Sequence, residues 1–258
     1  MTQWPGMLVA DWHPPPGVHA LCTTRLGGVS VAPRDALNLG AHVGDASAAV
    51  AENRRRLRAA LLLPAEPRWL SQVHGVAVAD LDVAAAAAIP VADAAIALGS
   101  GTVCAVLTAD CLPVLLAASD GSAVGAVHAG WRGLAAGVVE ATVQALRGRM
   151  APGITLQAWL GPAISAAHFE VGEDVRQAFL AVNPAAETAF QRGAGDRWQA
   201  DLYALARARL ATLGITQVSG GNHCTYAEDG RFYSHRRDVQ HRGLVATGRM
   251  ASLIWRQT

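Results

Sequence analysis

Charge is scarce in this 258-residue chain, and what there is cancels. Only 16% of the residues are charged, and 21 Lys and Arg against 20 Asp and Glu leave a formal net charge of +1. That balance offers no broad basic face for a nucleic acid and no acidic tail. The one basic run, Asn53 to Arg58 (NRRRLR), falls in a helix-like stretch and reads as a solvated helix face. Cysteine is scarce too: Cys22, Cys104, Cys111 and Cys224 are far apart and form no C-x-x-C pair. A chain of this size with that usage is expected to be reduced and cytoplasmic, any special cysteine serving as ligand or nucleophile. Long apolar runs are missing. The alanine-rich segment from Val83 to Leu98 is broken by Pro90 and Asp93, which argues against a membrane span. The opening MTQWPGMLVADW lacks the basic start and apolar stretch of a secretion signal.

Hydrophobic residues, by contrast, make up 52% of the chain, enough for a sizeable core. No repeat and no linker divides it, so residues 1–258 are expected to form one domain. Val18 to Arg25, Arg68 to Gly75, Thr102 to Asp110, Leu112 to Ser119 and Ala123 to Ala129 read as strands. Asp45 to Leu63 reads as a helix, with Asp45 or Ser47 able to cap it. Leu134 to Gly148, Gly172 to Val182 and Ala200 to Gly214 read as further helices. Residues 154–164 form another strand candidate, and the close is strand-like at Ile215 to Gly221, Arg231 to Asp238 and Gly248 to Trp255. This order of hairpins and helices predicts an α/β fold with a mixed sheet flanked by helices.

The stretch from Cys104 to Gly133 carries the chemistry. Ser119-Asp120-Gly121-Ser122 is a turn signal, so the apolar runs on either side should pair as a hairpin. If Ala118 faces Ala123, His128 faces Pro113 and Cys111 falls diagonally across from His128 on one face. Diagonal neighbours sit roughly 7–8 Å apart at Cα, close enough for two side chains to converge on one ion. A single such Cys or His is more often structural; the same-face pair is what raises the site above background. His74, in SQVHG before a glycine, is the third candidate. Two histidines and one cysteine make a three-ligand zinc site that keeps a fourth position for substrate. Their separations match no zinc-finger template.

Around these residues the sequence resembles the YfiH family, also called laccase-domain or multicopper polyphenol oxidoreductase proteins. The resemblance runs through TTRLGGVS, NLGAHVGD, LSQVHG, TADCLPVLL, VHAGWRG, LGPAI, HCT, RFYSHRRD and TGRMASLIW, nearly the whole chain. It implies a single-domain sandwich like that of bacterial cytotoxic deamidases, zinc on His74, Cys111 and His128, and Arg25 at the active site. It also implies phosphorolysis of adenosine, inosine and methylthioadenosine, with deamination of adenosine; some members are linked to editing of peptidoglycan precursors. The chain departs from the family at Phe169, where the pattern has Tyr, and at Ala97, where it has Thr. It also carries eight residues, VQHRGLVA, between Asp238 and Thr247.

Phosphorolysis needs an anion held against the ribose, for which the planar arginine fork is suited. Arg25 is the first candidate for binding substrate, with Arg236 and Arg132 behind it. Asp93 is a candidate general acid or base. Asp110, next to Cys111, should point to the opposite face and orient backbone instead. Deamination would have to use an unusual arrangement, because H-x-E with P-C-x-x-C is absent. A Cys111–His128 amide hydrolase is the rival enzyme. Polyphenol oxidation by several coppers is disfavoured by nine histidines without one H-x-H pair, although copper can occupy the His-Cys-His site. The expected partners are purine nucleosides and phosphate, without nucleic acid or membrane, for a monomer or weak homo-oligomer.

Overall fold

The computed structural model describes residues 4–85 and 89–257. Residues 86–88 of the alanine-rich stretch and the first three residues of the opening segment lie outside them. Two sheets pack face to face. The larger is mixed and runs Val218–Gly220, Leu156–Leu160, Leu112–Ala118, Val124–Ala129, Ala94–Ala97, Val78–Asp80, parallel only at its two outermost pairs. The smaller is antiparallel: Met7–Val9, Val18–Thr23, Met250–Arg256, Cys104–Thr108. A three-stranded sheet, Phe190–Arg192, Trp198–Ala200 and Glu170–Val171, stands apart from both.

Alternation decides the layering. Leu115, Ala117, Val124 and Ala126 on one face of the large sheet pack against Cys22, Cys104, Val106 and Ile254 of the small one. Val114, Leu116, Val127 and Ala129 on the other face meet the helices Val138–Arg149 and Leu202–Thr212. The outer face of the small sheet, with Leu21, Ala105 and Leu253, is covered by Leu57 of the helix Ser47–Leu61. Sheets covered on both faces are coded by near-continuous apolar runs. The result is a helix–sheet–sheet–helix sandwich in one domain-sized core, the α/β class with mixed sheet and flanking helices.

Four local expectations are corrected. Arg68–Gly75 is not a strand beyond isolated bridges at Arg68 and Ser71. Instead the Gln72 side chain imitates strand pairing, donating to Leu107 O at 2.8 Å and accepting from Leu107 N at 2.7 Å. Asp45 does not cap the first helix, because its carboxylate is held by Ser30 Oγ, Asn38 Nδ2 and the Ala46 amide. The helix expected from Leu134 is two, Trp131–Ala136 and Val138–Arg149, broken where Gly137 takes φ +99°. Such an angle is open to glycine at little cost. Finally, Arg231–Asp238 is not a strand: Arg236–His241 winds as a π-helical turn. Buried Arg237 organises it, donating to the carbonyls of Thr225, Tyr226 and Phe232 and to Asp238.

Candidate active site

The hairpin register is the one the turn predicts, with Pro113 opposite His128 and Leu112 opposite Ala129. His128 therefore continues the face of Leu115 and Ala126 that looks toward the small sheet, and it sits at the mouth between the two sheets. Cys111 precedes the first hairpin strand. Asp110 before it takes φ +85°, a strained angle for a side chain with a Cβ. Three bonds hold it there: its carboxylate accepts from Thr225 Oγ1 at 2.6 Å and from the Arg236 amide at 2.7 Å, and its carbonyl accepts from Ile164 N at 3.0 Å. Asp110 thus orients backbone, but from a turn outside the strands, where alternation does not apply, and it lines the cavity together with Cys111.

The ligand atoms of His74, Cys111 and His128 all lie within 4.8 Å of one another, a spread one metal ion can span. The Cys111 Sγ to His74 Nε2 distance is 3.9 Å, and the two imidazoles meet edge to face at 4.8 Å. Asp93 holds the cluster together. Fully buried, its carboxylate lies 2.8 Å from His128 Nδ1 and accepts the amides of Val73, His74 and Gly75. Bonding at Nδ1 fixes the ring so that Nε2 faces the cluster, the usual support for a metal-ligating histidine. The same carboxylate folds the turn on which His74 stands at φ +60°. Asp93 faces these groups and does not line the cavity above them.

Gly130 forms the floor. A Cβ there would sit 2.9 Å from His74 Cδ2 and 3.0 Å from Cys111 Sγ. Gly130→Ala is accordingly expected to displace one ligand and lower metal occupancy at least tenfold while leaving the circular dichroism unchanged. Full metal content in that variant would show that the floor has slack.

Without metal the cluster is an ion pair. Burial pushes the Cys111 thiol up, but the positive charge and bonding of His128, aided by His74, reverse this and bring it to about 6. Burial likewise pushes His128 down, and the thiolate and Asp93 outweigh it, raising the imidazole to about 9. The thiolate form exists above its own pKa. Alkylation of Cys111 in chelator-treated protein, followed by peptide mass mapping, should therefore reach half its maximal rate near pH 6, not at a free thiol's roughly 8.5. Zinc should suppress it. A midpoint above pH 8 would mean the pair does not form.

A cavity of about 360 Å³ opens over the cluster. Arg132 and Arg236 line it, as do Arg249, His42, His235, Trp131, Phe169 and Gln240. Arg236 Nη1 donates to Glu170 O at 2.9 Å and its guanidinium lies 5.5 Å from the Phe169 ring centre. Arg132 lies over Trp131. Arg25 does not reach this cavity. Its guanidinium is engaged by Asp35 and Asp229, lies over Tyr233 and lines a different cavity with Pro33 and Arg242. Arg249, His42 and His235, within TGRM, NLGAHVGD and SHRRD, join the site only in the folded chain. Nothing local marks them, since only the tertiary fold brings residues 42, 235 and 249 to one mouth. The protein has no lysine, so every permanently cationic side chain is an arginine.

Known proteins resemble this chain over nearly its whole length. The family described as multi-copper polyphenol oxidoreductase laccase matches residues 19–257. Purine nucleoside phosphorylase YfiH of Escherichia coli (strain K12) is 51% identical over 249 residues, 96% of this chain and 98% of that protein. A purine nucleoside phosphorylase of Pseudomonas aeruginosa is 50% identical over 258 residues, covering both chains fully. A crystal structure of a Neisseria meningitidis protein superposes with TM-score 0.90 at 47% identity, covering 98% of this chain and all of that one. That of YlmD from Geobacillus stearothermophilus gives 0.85 at 30% identity, covering 100% and 98%. Among the described residues one group of three ligands converges, and no helix is long and apolar enough to cross a membrane. The chain belongs to the laccase-domain, or YfiH, family.

Proposed function

We propose that this protein is a zinc-dependent purine nucleoside phosphorylase acting on adenosine, inosine and methylthioadenosine, with deamination of adenosine at the same site. The observation that carries this is the placing of a His-Cys-His cluster, with its orienting carboxylate, beneath a nucleoside-sized cavity edged by Arg132, Arg236 and Arg249. The names of the relatives supply the reaction class.

In phosphorolysis a phosphate oxygen bonds to C1′ as the C1′–N9 bond breaks, and the purine departs with the electron pair and gains a proton. The guanidinia suit the phosphate, since each offers paired N–H donors that stay charged at any working pH. His42 and His235 are both held below the usual imidazole range, by burial and then by Arg249. That favours the neutral ring, which suits them to hydrogen-bond the substrate or accept a proton, while the proton gained by the leaving base is the one the attacking phosphate carries and gives up. Zinc fits the donor set of one thiolate and two imidazoles, and when bound it supplies Lewis acidity toward a substrate oxygen or nitrogen. Phe169 leaves the cavity wall without a phenol, so stacking is all that position offers a base.

The test is to incubate the protein with each nucleoside, with and without phosphate, and follow free base and inosine by chromatography. Base release that needs phosphate is expected, together with inosine from adenosine. Release indifferent to phosphate would exclude phosphorolysis.

A second reading has its own support. Asp93, His128 and Cys111 are linked in the order carboxylate, imidazole, thiol, the arrangement of an activated nucleophile in a Cys–His amide hydrolase, for instance on a cell-wall peptide. Elemental analysis separates the two. One tightly held zinc per chain leaves no free thiolate and excludes the hydrolase; a metal-free protein that cleaves amides excludes the phosphorylase.

A further inference from the structure

The residues between Asp238 and Thr247 reach the active-site cavity through Gln240. This residue lies on the π-helical turn Arg236–His241, an irregular form of helix that recurs at functional sites. The turn is tied at both ends. At its start the Arg236 amide donates to Asp110, the residue before Cys111. At its end His241 Nδ1 lies 2.9 Å from Tyr226 Oη, and the Tyr226 ring stacks on His168, which precedes Phe169. Gln240 is thus presented to the cavity from a fixed support.

Two side-chain amides line the cavity, Gln72 and Gln240. Both ends of the Gln72 amide are engaged by the Leu107 backbone. The Gln240 amide has no partner among the described residues. Of the two lining amides it is therefore the one free to offer a neutral donor and a neutral acceptor side by side on one planar group. A 6-aminopurine presents an acceptor at N1 beside a donor at N6; a 6-oxopurine presents the reverse, N1–H beside O6. An amide satisfies either edge by turning over, because its oxygen and nitrogen exchange places. A guanidinium, which only donates, does not.

We infer that Gln240 recognises the N1/C6 edge of the purine base, and that its reversible amide admits both 6-amino and 6-oxo nucleosides. This rests on the purine nucleoside reading of the site. A site built to hydrogen-bond its ligand rejects an analogue that lacks the bonding group. The pair to compare is adenosine and 1-deazaadenosine, in which N1 is replaced by CH. Their dissociation constants are measured on the metal-loaded protein without phosphate by stopped-flow quenching of tryptophan fluorescence, Trp131 lining the cavity, which reads binding before adenosine is turned over. The wild type is expected to prefer adenosine by about tenfold, one good hydrogen bond's worth. Gln240→Met, of equal length and without polar atoms, should bind the two within twofold of each other and retain its zinc content. A loosened fold would weaken both ligands together and keep the ratio. A ratio unchanged in Gln240→Met, or no preference in the wild type, overturns the assignment. Turnover is scored separately: selective binding without phosphate-dependent base release would sink the phosphorylase and leave Gln240 as a base-recognition residue.

Discussion

Cys111→Ala is expected to strip the protein of its metal and lower kcat/KM for phosphate-dependent base release by about a thousandfold. Lewis-acid assistance contributes several kcal/mol to a transition state, and each 1.36 kcal/mol is a factor of ten. The cluster has no spare donor: Cys111, His74 and His128 are the one converging group among the described residues. Two imidazoles alone hold zinc weakly, so mass spectrometry of the native variant should show loss of the ion. The fold should survive, since Cys111 precedes the hairpin strand and leaves the register untouched. Removing the thiolate also relieves the pull on His128, whose imidazole should titrate lower, a change NMR reads directly. Activity retained to within tenfold after metal loss would mean that the ion is an ornament and that the arginines perform the chemistry unaided.

Asp93→Asn should come next in severity, and its effects should divide into two. The carboxylate accepts three backbone amides and faces His128 Nδ1. An asparagine keeps the shape but turns an NH₂ toward donors, leaving at least one buried N–H unmatched. Metal affinity should fall about 10–100-fold, the range for losing a histidine's orienting partner. Asp93→Ala should go further and cost about 3–5 kcal/mol of stability, because it leaves buried His128 without its counterion. Competition with a chelator measures the first effect and denaturant unfolding the second. Asp93 is held below the usual carboxyl range, the bonds from His128 and the Gly75 and Val73 amides outweighing its burial, which alone would raise it. Its contribution is therefore present above the unfolded value of about 3.9 and disappears as pH falls through the lower folded value. The stability gap between wild type and Asp93→Asn should accordingly be widest near neutrality and close in acid. Equal chelator competition in the two proteins would remove Asp93 from the metal site.

What could be read from the sequence follows from how local each signal was. The hairpin was legible because a four-residue turn and strict alternation determine which side chains share a face, and that alone juxtaposes Cys111 with His128. His74 came from its setting beside a glycine and from family likeness; its left-handed backbone was not foreseeable, because the carboxylate that enforces it lies nineteen residues on, at Asp93. The sequence shows in Asp93 a charge suited to proton transfer, whereas its burial and four partners, visible only in the fold, suit it to positioning His74 and His128. Arg25 was drawn in by its motif; its neighbours Asp35 and Asp229, the latter 204 residues away, hold it elsewhere. The Arg236 segment read as a strand because it alternates, and its winding depends on Asp110 and Thr225, which no local pattern reveals.

The position of Met250–Arg256 has a consequence for biosynthesis. That strand is the last of its sheet in chain order yet lies in the interior, between Val18–Thr23 and Cys104–Thr108. Until residue 256 has left the ribosome, the nascent polypeptide carries two unzipped edges that invite pairing with other chains. Termination before Met250 would leave these edges open and is expected to yield aggregates, not a weakened protein.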